Sequence, residues 1–252
     1  MKNVLPLVLL VCIASIAAAA EPVLVGHWRL DEKDGDVAAD SSASKNNAKA
    51  LNAPGRTAGK VGGAFTFDGK KQFVEIPNSK ELEKVNAGSY AIAAWFKADD
   101  TPPGSDDAND AQYGIVIRTG WHEGLSFDSS KKFVFTHWVK GDTDPVWAGA
   151  VSPEESDAGK WHHVVGVVDT EAHVARIYVD GEMKSASQEW DAKAAAKDYE
   201  QITWKIGVGS PSAEKWAWHA KGAIDDVRIY ASALTDDQVK ALYDATSAGK
   251  DK

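Results

Sequence analysis

The stretch WHHVVGVVDTEAHVARIYVDG, residues 161–181, decides the fold of this chain. It contains two apolar runs, Trp161–Val168 and Val174–Val179, which have the length of strands and are rich in β-branched and aromatic residues. A short polar segment separates the runs, and the turn dipeptide Asp180-Gly181 follows the second one. The stretch therefore predicts two consecutive strands that end in a tight turn.

The same pattern recurs along the chain on both sides of this stretch. Asp68-Gly69 is a second turn dipeptide between apolar runs. Almost no helical periodicity separates the runs, which favours an all-β antiparallel sandwich over a sheet with crossover helices. The exception is Thr235–Tyr243, where Thr235 and Gln238 have the spacing of a capping box and predict a short C-terminal helix. The further predicted strands are Gly63–Phe67, Phe73–Ile76, Tyr90–Phe96, Gly114–Ile117 and Lys132–Trp138.

The first 20 residues have the pattern of a secretory signal peptide. Lys2 precedes an apolar run, and Ala18-Ala19-Ala20 supplies a small-residue cleavage site. The alternative is a membrane anchor, which the shortness of the run and its Ala-rich end disfavour. We therefore expect residues 1–20 to be a signal peptide, residues 21–252 to form one domain, and the mature protein to be secreted or periplasmic without a membrane span.

Charge and cysteine content restrict the partners of the mature chain. The net charge is −9, and removal of Lys2 makes it more negative, which argues against binding to nucleic acid or anionic membranes. The single cysteine, Cys12, lies in the predicted signal peptide. The mature domain must therefore be stabilised by its core rather than by disulfides, and this length permits that.

Several sequence blocks, taken together and in chain order, carry a resemblance to a known family. They are Gly26–Glu32, Asp40–Ser42, Gly59–Gly69, Tyr90–Phe96, Gly159–Val164, Ile177–Gly181, Gly222–Tyr230 and Ala233-Leu234. They resemble the laminin-G-like, concanavalin A-like jelly rolls of large bacterial secreted proteins, over nearly all of Val25–Tyr243. The resemblance implies a two-sheet antiparallel jelly-roll sandwich with a short C-terminal helix. Domains of this family serve in glycan binding, in protein adhesion and beside catalytic domains.

The chain contains ten tryptophans, which is many for its length. Trp28, Trp95 and Trp161 fall within the family blocks, and we expect them in the core. The other candidates can stack an indole on the C–H face of a sugar and donate the indole N–H to a hydroxyl. The alternative for each is additional core or loop packing. The candidate glycan-stacking residues are Trp121, Trp138, Trp147, Trp190, Trp216 and Trp218, of which the last two would share one face of a strand.

Calcium is the metal that the resemblance implies, as a structural ion near the meeting point of the first and last strands. Its candidate ligands are Asp40 and Asp225, because calcium prefers oxygen ligands from loops. Asp225 has the alternative of facing solvent or capping a backbone turn. His162 and His163 are neighbours on a predicted strand and point to opposite faces, so we interpret them as structural residues rather than zinc ligands.

Catalytic motifs were sought and are absent from the sequence. It has neither the E-x-D-x-x-E strand of the jelly-roll glucanases nor a G-x-S-x-G nucleophile turn. The leading hypothesis is therefore a secreted, non-catalytic recognition module that binds carbohydrate by aromatic stacking, with calcium as a possible support. The second hypothesis is adhesion to a cell-surface or matrix protein, and the third is a glycan-cleaving enzyme.

Overall fold

The fold was analysed in a computed structural model that describes residues 20–86, 88–103, 112–118, 123–140, 145–191, 203–209 and 217–248. It consists of strands and two helices. The elements are β1 Leu24–Trp28, β2 Val37–Ala38, β3 Ala48–Leu51, β4 Gly55–Ala58, β5 Gly63–Asp68, β6 Phe73–Ile76, α1 Lys80–Glu83, β7 Tyr90–Ala98, β8 Gln112–Arg118, β9 Glu123–Asp128, β10 Phe133–Thr136, β11 Trp138–Lys140, β12 Pro145–Trp147, β13 Ala150–Val151, β14 His162–Asp169, β15 Val174–Val179, β16 Glu182–Ala186, β17 Trp204–Ile206, β18 Lys221–Tyr230 and α2 Asp236–Ser247.

Two antiparallel sheets form the predicted jelly-roll sandwich. Sheet A has the order β16-β15-β14-β7-β18-β5-β4, with β1 also paired to β18. Sheet B has the order β13-β10-β9-β8-β17-β6-β3-β2. The stretch quoted at the outset forms the neighbouring strands β14 and β15. The turn after β15 has φ 54° at Asp180 and φ 80° at Gly181, a left-handed pair that suits a two-residue hairpin turn.

The core lies between the two sheets and contains the expected Trp28. Trp95 is also buried, but its ring lies 5.1 Å from His163 and 5.8 Å from Tyr243, where α2 packs on sheet A. Trp161 is only half-buried, and Lys97 Nζ lies 5.2 Å from its ring centroid. The core prediction therefore holds for two of these three tryptophans and is wrong for Trp161.

Helix α2 covers the outer face of sheet A. The predicted capping box is present, because Thr235 Oγ1 accepts from Gln238 N and the Gln238 side chain accepts from Thr235 N. Val239 on the helix and the preceding Leu234 form a second apolar cluster with sheet A residues that include Val165 and Tyr178. Among the elements that the structure describes, only the outer side of sheet B is left without a covering helix.

One long hairpin extends from sheet B. Strands β10 and β13 pair Phe135 with Ala150, and β11 and β12 continue the same register by pairing Trp138 with Trp147. Ala148 N donates to His137 O at 2.8 Å and joins the two halves. The tip, formed by β11 and β12, is a separate two-stranded ribbon and projects beyond sheet B.

Two further predictions concern the signal peptide and the membrane. The predicted signal peptide falls, except for Ala20, outside the described residues. Among the helices of the described ranges, none has the length and apolar character needed to cross a membrane.

Candidate functional site

The Trp218 side chain covers the centre of the outer face of sheet B. Gly209 has no side chain, and the position that a Cβ would take there lies 2.7 Å from the Trp218 indole and 3.3 Å from Ile117 Cγ1. Both side chains therefore lie against this glycine. Trp218 is 1% exposed. The prediction of Trp218 as a surface stacking residue is therefore wrong, because its indole fills space against β8. Trp121 and Trp216, which carried the same prediction, lie outside the described residues.

The hairpin tip brings two of the predicted tryptophans together. Trp138 and Trp147 are direct cross-strand partners, so their side chains lie on the same face. A Cβ at Gly149 would lie 2.7 Å from two ring atoms of Trp147, so the indole lies against this glycine. Trp147 is nevertheless 47% exposed. Trp147 therefore supplies an aromatic surface that is supported by backbone and open to solvent, beside the half-buried Trp138. We call these two residues the Trp138–Trp147 pair.

A buried polar network lies beneath this pair. Trp138 N donates to Glu123 Oε1 at 2.9 Å, and Glu123 Oε2 forms an ion pair with Arg118. These two charged side chains are 1% and 2% exposed. His137 Nδ1 lies 3.2 Å from Glu123 Oε1 and 3.2 Å from Tyr90 Oη. The network joins the base of the hairpin to β8, β9 and β7.

Burial decides the protonation states within the network. Burial, together with the Arg118 charge, lowers the pKa of His137 to about 3, so this histidine is neutral at physiological pH. Burial raises the pKa of Tyr90 to about 12, against an opposing effect of Arg118. Sequence analysis missed this network because its members lie in β7, β8, β9 and the hairpin. The one local signal is that Arg118 and Glu123, of opposite charge, are only five positions apart in the sequence, and they are cross-strand partners of β8 and β9.

Trp190 lies on the other side of the hairpin. Its ring is 5.6 Å from that of His137 and 6.2 Å from that of His173, and it packs against the main core. His137 and Trp138 are consecutive in an extended chain and point to opposite faces. Trp190 is half-buried and does not extend the Trp138–Trp147 pair. Its position fits the packing alternative better than the stacking prediction.

Asp40 organises the loop that it begins. Its Oδ1 accepts from His27 N and Ser42 N, and its Oδ2 accepts from Ser42 Oγ and Asn46 N, all at 2.8–2.9 Å. Burial acts to raise the pKa of Asp40, but these hydrogen bonds outweigh it and hold the pKa below its usual value. Both carboxylate oxygens are thus occupied by the loop, which does not fit the predicted role of Asp40 as a calcium ligand.

Asp225 is fully buried in β18, beside the loop that contains Gly59 and Val61. Val61 N donates to Asp225 Oδ2 at 2.7 Å, whereas Oδ1 has no hydrogen-bond partner among the described residues. Burial, reinforced by the charges of Asp226 and Asp31, raises the pKa of Asp225 to about 8. The described parts of the chain contain no group of three or more His, Cys, Asp or Glu side chains that could hold a metal. Asp40 and Asp225 are therefore not brought together as such a group.

The two adjacent histidines take structural positions. His162 Nδ1 lies 2.8 Å from Asp180 Oδ2, and His163 is buried beneath Trp95 and Tyr243. Burial lowers the pKa of His163 to about 4. Both therefore support the turn and the helix contact, as their alternation predicted.

Among the described residues, the Trp138–Trp147 pair offers an aromatic contact surface. Glu123, the carboxylate that hydrogen-bonds to Trp138, is buried in an ion pair beneath the aromatic surface. A glycosidase needs two carboxylates that reach the same glycosidic bond. An exposed indole beside a second tryptophan instead suits contact with the apolar face of a ring-shaped ligand.

Comparison with known families shows to which superfamily the chain belongs. The sequence profile described as "Concanavalin A-like lectin/glucanases superfamily", of laminin G type, matches residues 68–240. The chain belongs to this superfamily. The match includes both β14–β15 and the hairpin, and it confirms the resemblance that the sequence blocks indicated. No curated protein sequence matches the chain significantly.

Several solved structures share the fold of this chain. Domain 4 of AbnA, a GH43 extracellular arabinanase from Geobacillus stearothermophilus, in complex with arabinotriose, has a TM-score of 0.62 at 17% identity. The alignment covers 89% of this chain and all of that domain. The binding domain of botulinum neurotoxin DC in complex with SialylT has a TM-score of 0.61 at 14% identity, with 90% of this chain covered. This chain spans about half of that binding domain, 52%.

An enzyme is also among the similar structures. Trypanosoma rangeli sialidase in complex with the inhibitor DANA has a TM-score of 0.56 at 16% identity, and the match covers 92% of this chain but 34% of the sialidase. At these identities the likeness establishes the shared fold. The superfamily fold therefore occurs in this comparison both in binding domains and as part of a larger enzyme.

Proposed function

We propose that this protein is a carbohydrate-binding module and that the Trp138–Trp147 pair is its contact surface. The observation that carries the proposal is the exposed Trp147 indole, held against Gly149 next to a second tryptophan. An indole supported in this way keeps its orientation when free, so little conformational entropy is lost on binding. Such a shallow site predicts affinities of roughly micromolar to millimolar dissociation constants.

The comparisons support the same ligand class. The AbnA domain aligns over its whole length and was solved with an arabinose oligosaccharide. The binding domain of botulinum neurotoxin DC was solved with SialylT in one structure and with rat synaptotagmin II, a protein, in another. The toxin domains match over about half of their length, whereas the AbnA domain matches completely. The likeness to the AbnA domain therefore favours a glycan as the first ligand to test.

The proposal includes a non-catalytic role outside the cytoplasm. Support for the first part is the burial of Glu123 in its ion pair and of Asp225 within sheet A, which keeps both carboxylates from a surface-bound glycan. Support for the second part is the signal-peptide pattern of residues 1–20. Asp225 is the residue that supports a role for calcium, because a bound ion would give its buried Oδ1 a cationic partner.

The test is affinity electrophoresis of residues 21–252 in gels that contain arabinan, xylan, mannan or β-glucan. Each gel is run with calcium and with a chelator. We expect retardation in at least one polysaccharide gel and loss of that retardation in Trp147→Ala. Val146→Ala is the matched control, because Val146 is the exposed neighbour on the opposite face of the same strand.

The other outcomes distinguish the alternative functions. Uniform mobility in every gel would remove the glycan proposal and favour adhesion to a protein. Release of reducing ends from a polysaccharide would establish cleavage and contradict the non-catalytic assignment. Retardation that disappears only with chelator would support a calcium ion near Asp225, whereas equal retardation would remove calcium from the site.

A further inference from the structure

A groove lies at the other edge of sheet B, and no tryptophan is among its described lining residues. It has a volume of about 700 Å³, which is within the usual range for small-ligand sites. Both apolar and polar residues line it, and one of the apolar residues, Val37, is 48% exposed. The lining residues are Asp36, Val37, Asn47, Ala48, Lys49, Glu75, Pro77, Asn78 and Thr203.

The polar wall of the groove is fixed before any ligand binds. Asn47 Oδ1 accepts from Asp40 N at 3.0 Å. Asn46 Nδ2 donates to Pro77 O at 2.8 Å and ties the loop to the end of β6. Asn78 Oδ1 accepts from Ser79 N at 2.9 Å. The occupied carboxylate of Asp40 therefore acts as an anchor, and the loop that it anchors forms one side of the groove.

Among the described residues, the charges along the groove balance one another. Glu75 is the direct cross-strand partner of Lys49 on one side and of Lys205 on the other. Lys205 Nζ lies 2.7 Å from Glu75 Oε1. Asp36 adds a second carboxylate to the lining. An acidic or basic ligand would meet a like charge here, whereas a neutral ligand with many hydroxyl groups finds donors and acceptors together with apolar contacts.

We propose that this groove is a second saccharide-binding site, selective for neutral sugars. It goes beyond the proposed function because it uses different residues from the Trp138–Trp147 pair. The strands β6 and β10 are four steps apart in sheet B, which corresponds to about 19 Å. A long glycan that reaches both sites is held more tightly than a short one, because the second contact becomes intramolecular.

The test is an NMR titration of ¹⁵N-labelled residues 21–252. The probes are oligosaccharide mixtures made by partial acid hydrolysis of arabinan, xylan, mannan and β-glucan. The reporters are the side-chain amides of Asn47 and Asn78 and the backbone amide of Val37. We expect these signals to shift with at least one mixture, and to shift in Trp147→Ala as well.

A matched pair of variants locates the site. Val37→Glu fills the groove and adds a charge, and we expect it to weaken binding at the groove reporters by at least about tenfold. Val23→Glu makes the same change at a valine of similar exposure outside the groove lining, and we expect no effect. Thermal unfolding of both variants controls for folding, and both should unfold at the temperature of the unchanged protein.

Each remaining outcome decides between the two sites. Shifts confined to the hairpin would overturn the groove proposal and leave the proposed function intact. Shifts confined to the groove, without any effect of Trp147→Ala, would support the groove and overturn the hairpin site. The absence of shifts with all four mixtures, or equal weakening by Val37→Glu and Val23→Glu, would overturn the groove proposal.

Discussion

At the scale of single residues, burial separates tryptophans that the sequence treats alike. Trp147 is exposed on a hairpin tip, whereas Trp218 fills space against Gly209 and Ile117. Their local sequences do not distinguish them, because burial depends on strands that are distant along the chain. Asp40 shows the same limit: it was predicted as a calcium ligand, but the four hydrogen bonds that occupy its carboxylate form only in the folded chain.

The first residue-scale prediction concerns the buried ion pair below the hairpin. Glu123→Ala leaves the Arg118 charge buried without this carboxylate and removes the acceptor for Trp138 N. We expect a loss of about 3–5 kcal/mol in the free energy of unfolding, measured by urea denaturation. The double variant Arg118→Met/Glu123→Leu removes both charges and should lose less. A double variant that is less stable than Glu123→Ala would contradict this account of the pair.

At the scale of elements, several strands of four or more residues were predictable, whereas the strands of two or three residues were not. Val174–Val179 was predicted and is β15. The returning half of the hairpin was not predicted, because β12 and β13 have three and two residues and are interrupted by Gly149. Their pairing with β10 and β11, rather than their own propensity, makes them strands. The candidate site was missed as a unit for this reason, although two of its residues were named.

The element-scale prediction concerns the start of α2. Thr235→Ala removes the side-chain acceptor for Gln238 N and one half of the capping box. We expect the free energy of unfolding to fall by about 1 kcal/mol in urea denaturation. Ser247→Ala, at the other end of the helix, is the control and should change it by less than about 0.5 kcal/mol. Equal losses in the two variants would show that the cap contributes nothing specific.

At the scale of the whole molecule, the sequence predicted the sandwich but not the order of its strands. The strand type follows from local patterns, whereas the pairing joins distant segments, as when β18 lies between β7 and β5. The groove illustrates the consequence, since its wall combines β2, β3, the end of β6 and Thr203. No spacing rule in the sequence brings these residues together.

The whole-molecule prediction concerns stability against pH, measured in chelator. His137 and His163 have folded pKa values of about 3 and 4, below the ordinary value of 6.5, so stability falls as pH drops below about 6.5. Asp225 has a folded pKa of about 8, above its ordinary 3.8, so its contribution to stability falls as pH rises towards 8. We therefore expect maximum stability near pH 6.5.

A variant isolates the alkaline side of this profile. In Asp225→Asn the decrease between pH 6.5 and 8, which for one group has a slope of up to about 1.4 kcal/mol per pH unit, should disappear. The fall in stability on the acidic side should remain and become steeper, because the two histidines are unchanged and Asp225 no longer offsets them between about pH 4 and 6.5. Thermal unfolding across this pH range measures both sides. An unchanged alkaline slope in Asp225→Asn would show that another group causes it.

The measurement that tests the central claim most directly is the affinity of Trp147→Ala and Val146→Ala for the polysaccharide that retards the unchanged protein. Affinity electrophoresis over a series of polysaccharide concentrations gives the dissociation constant of each variant. The account predicts a loss of roughly tenfold or more for Trp147→Ala and no change for Val146→Ala. Full retention of affinity by a folded Trp147→Ala variant would contradict it.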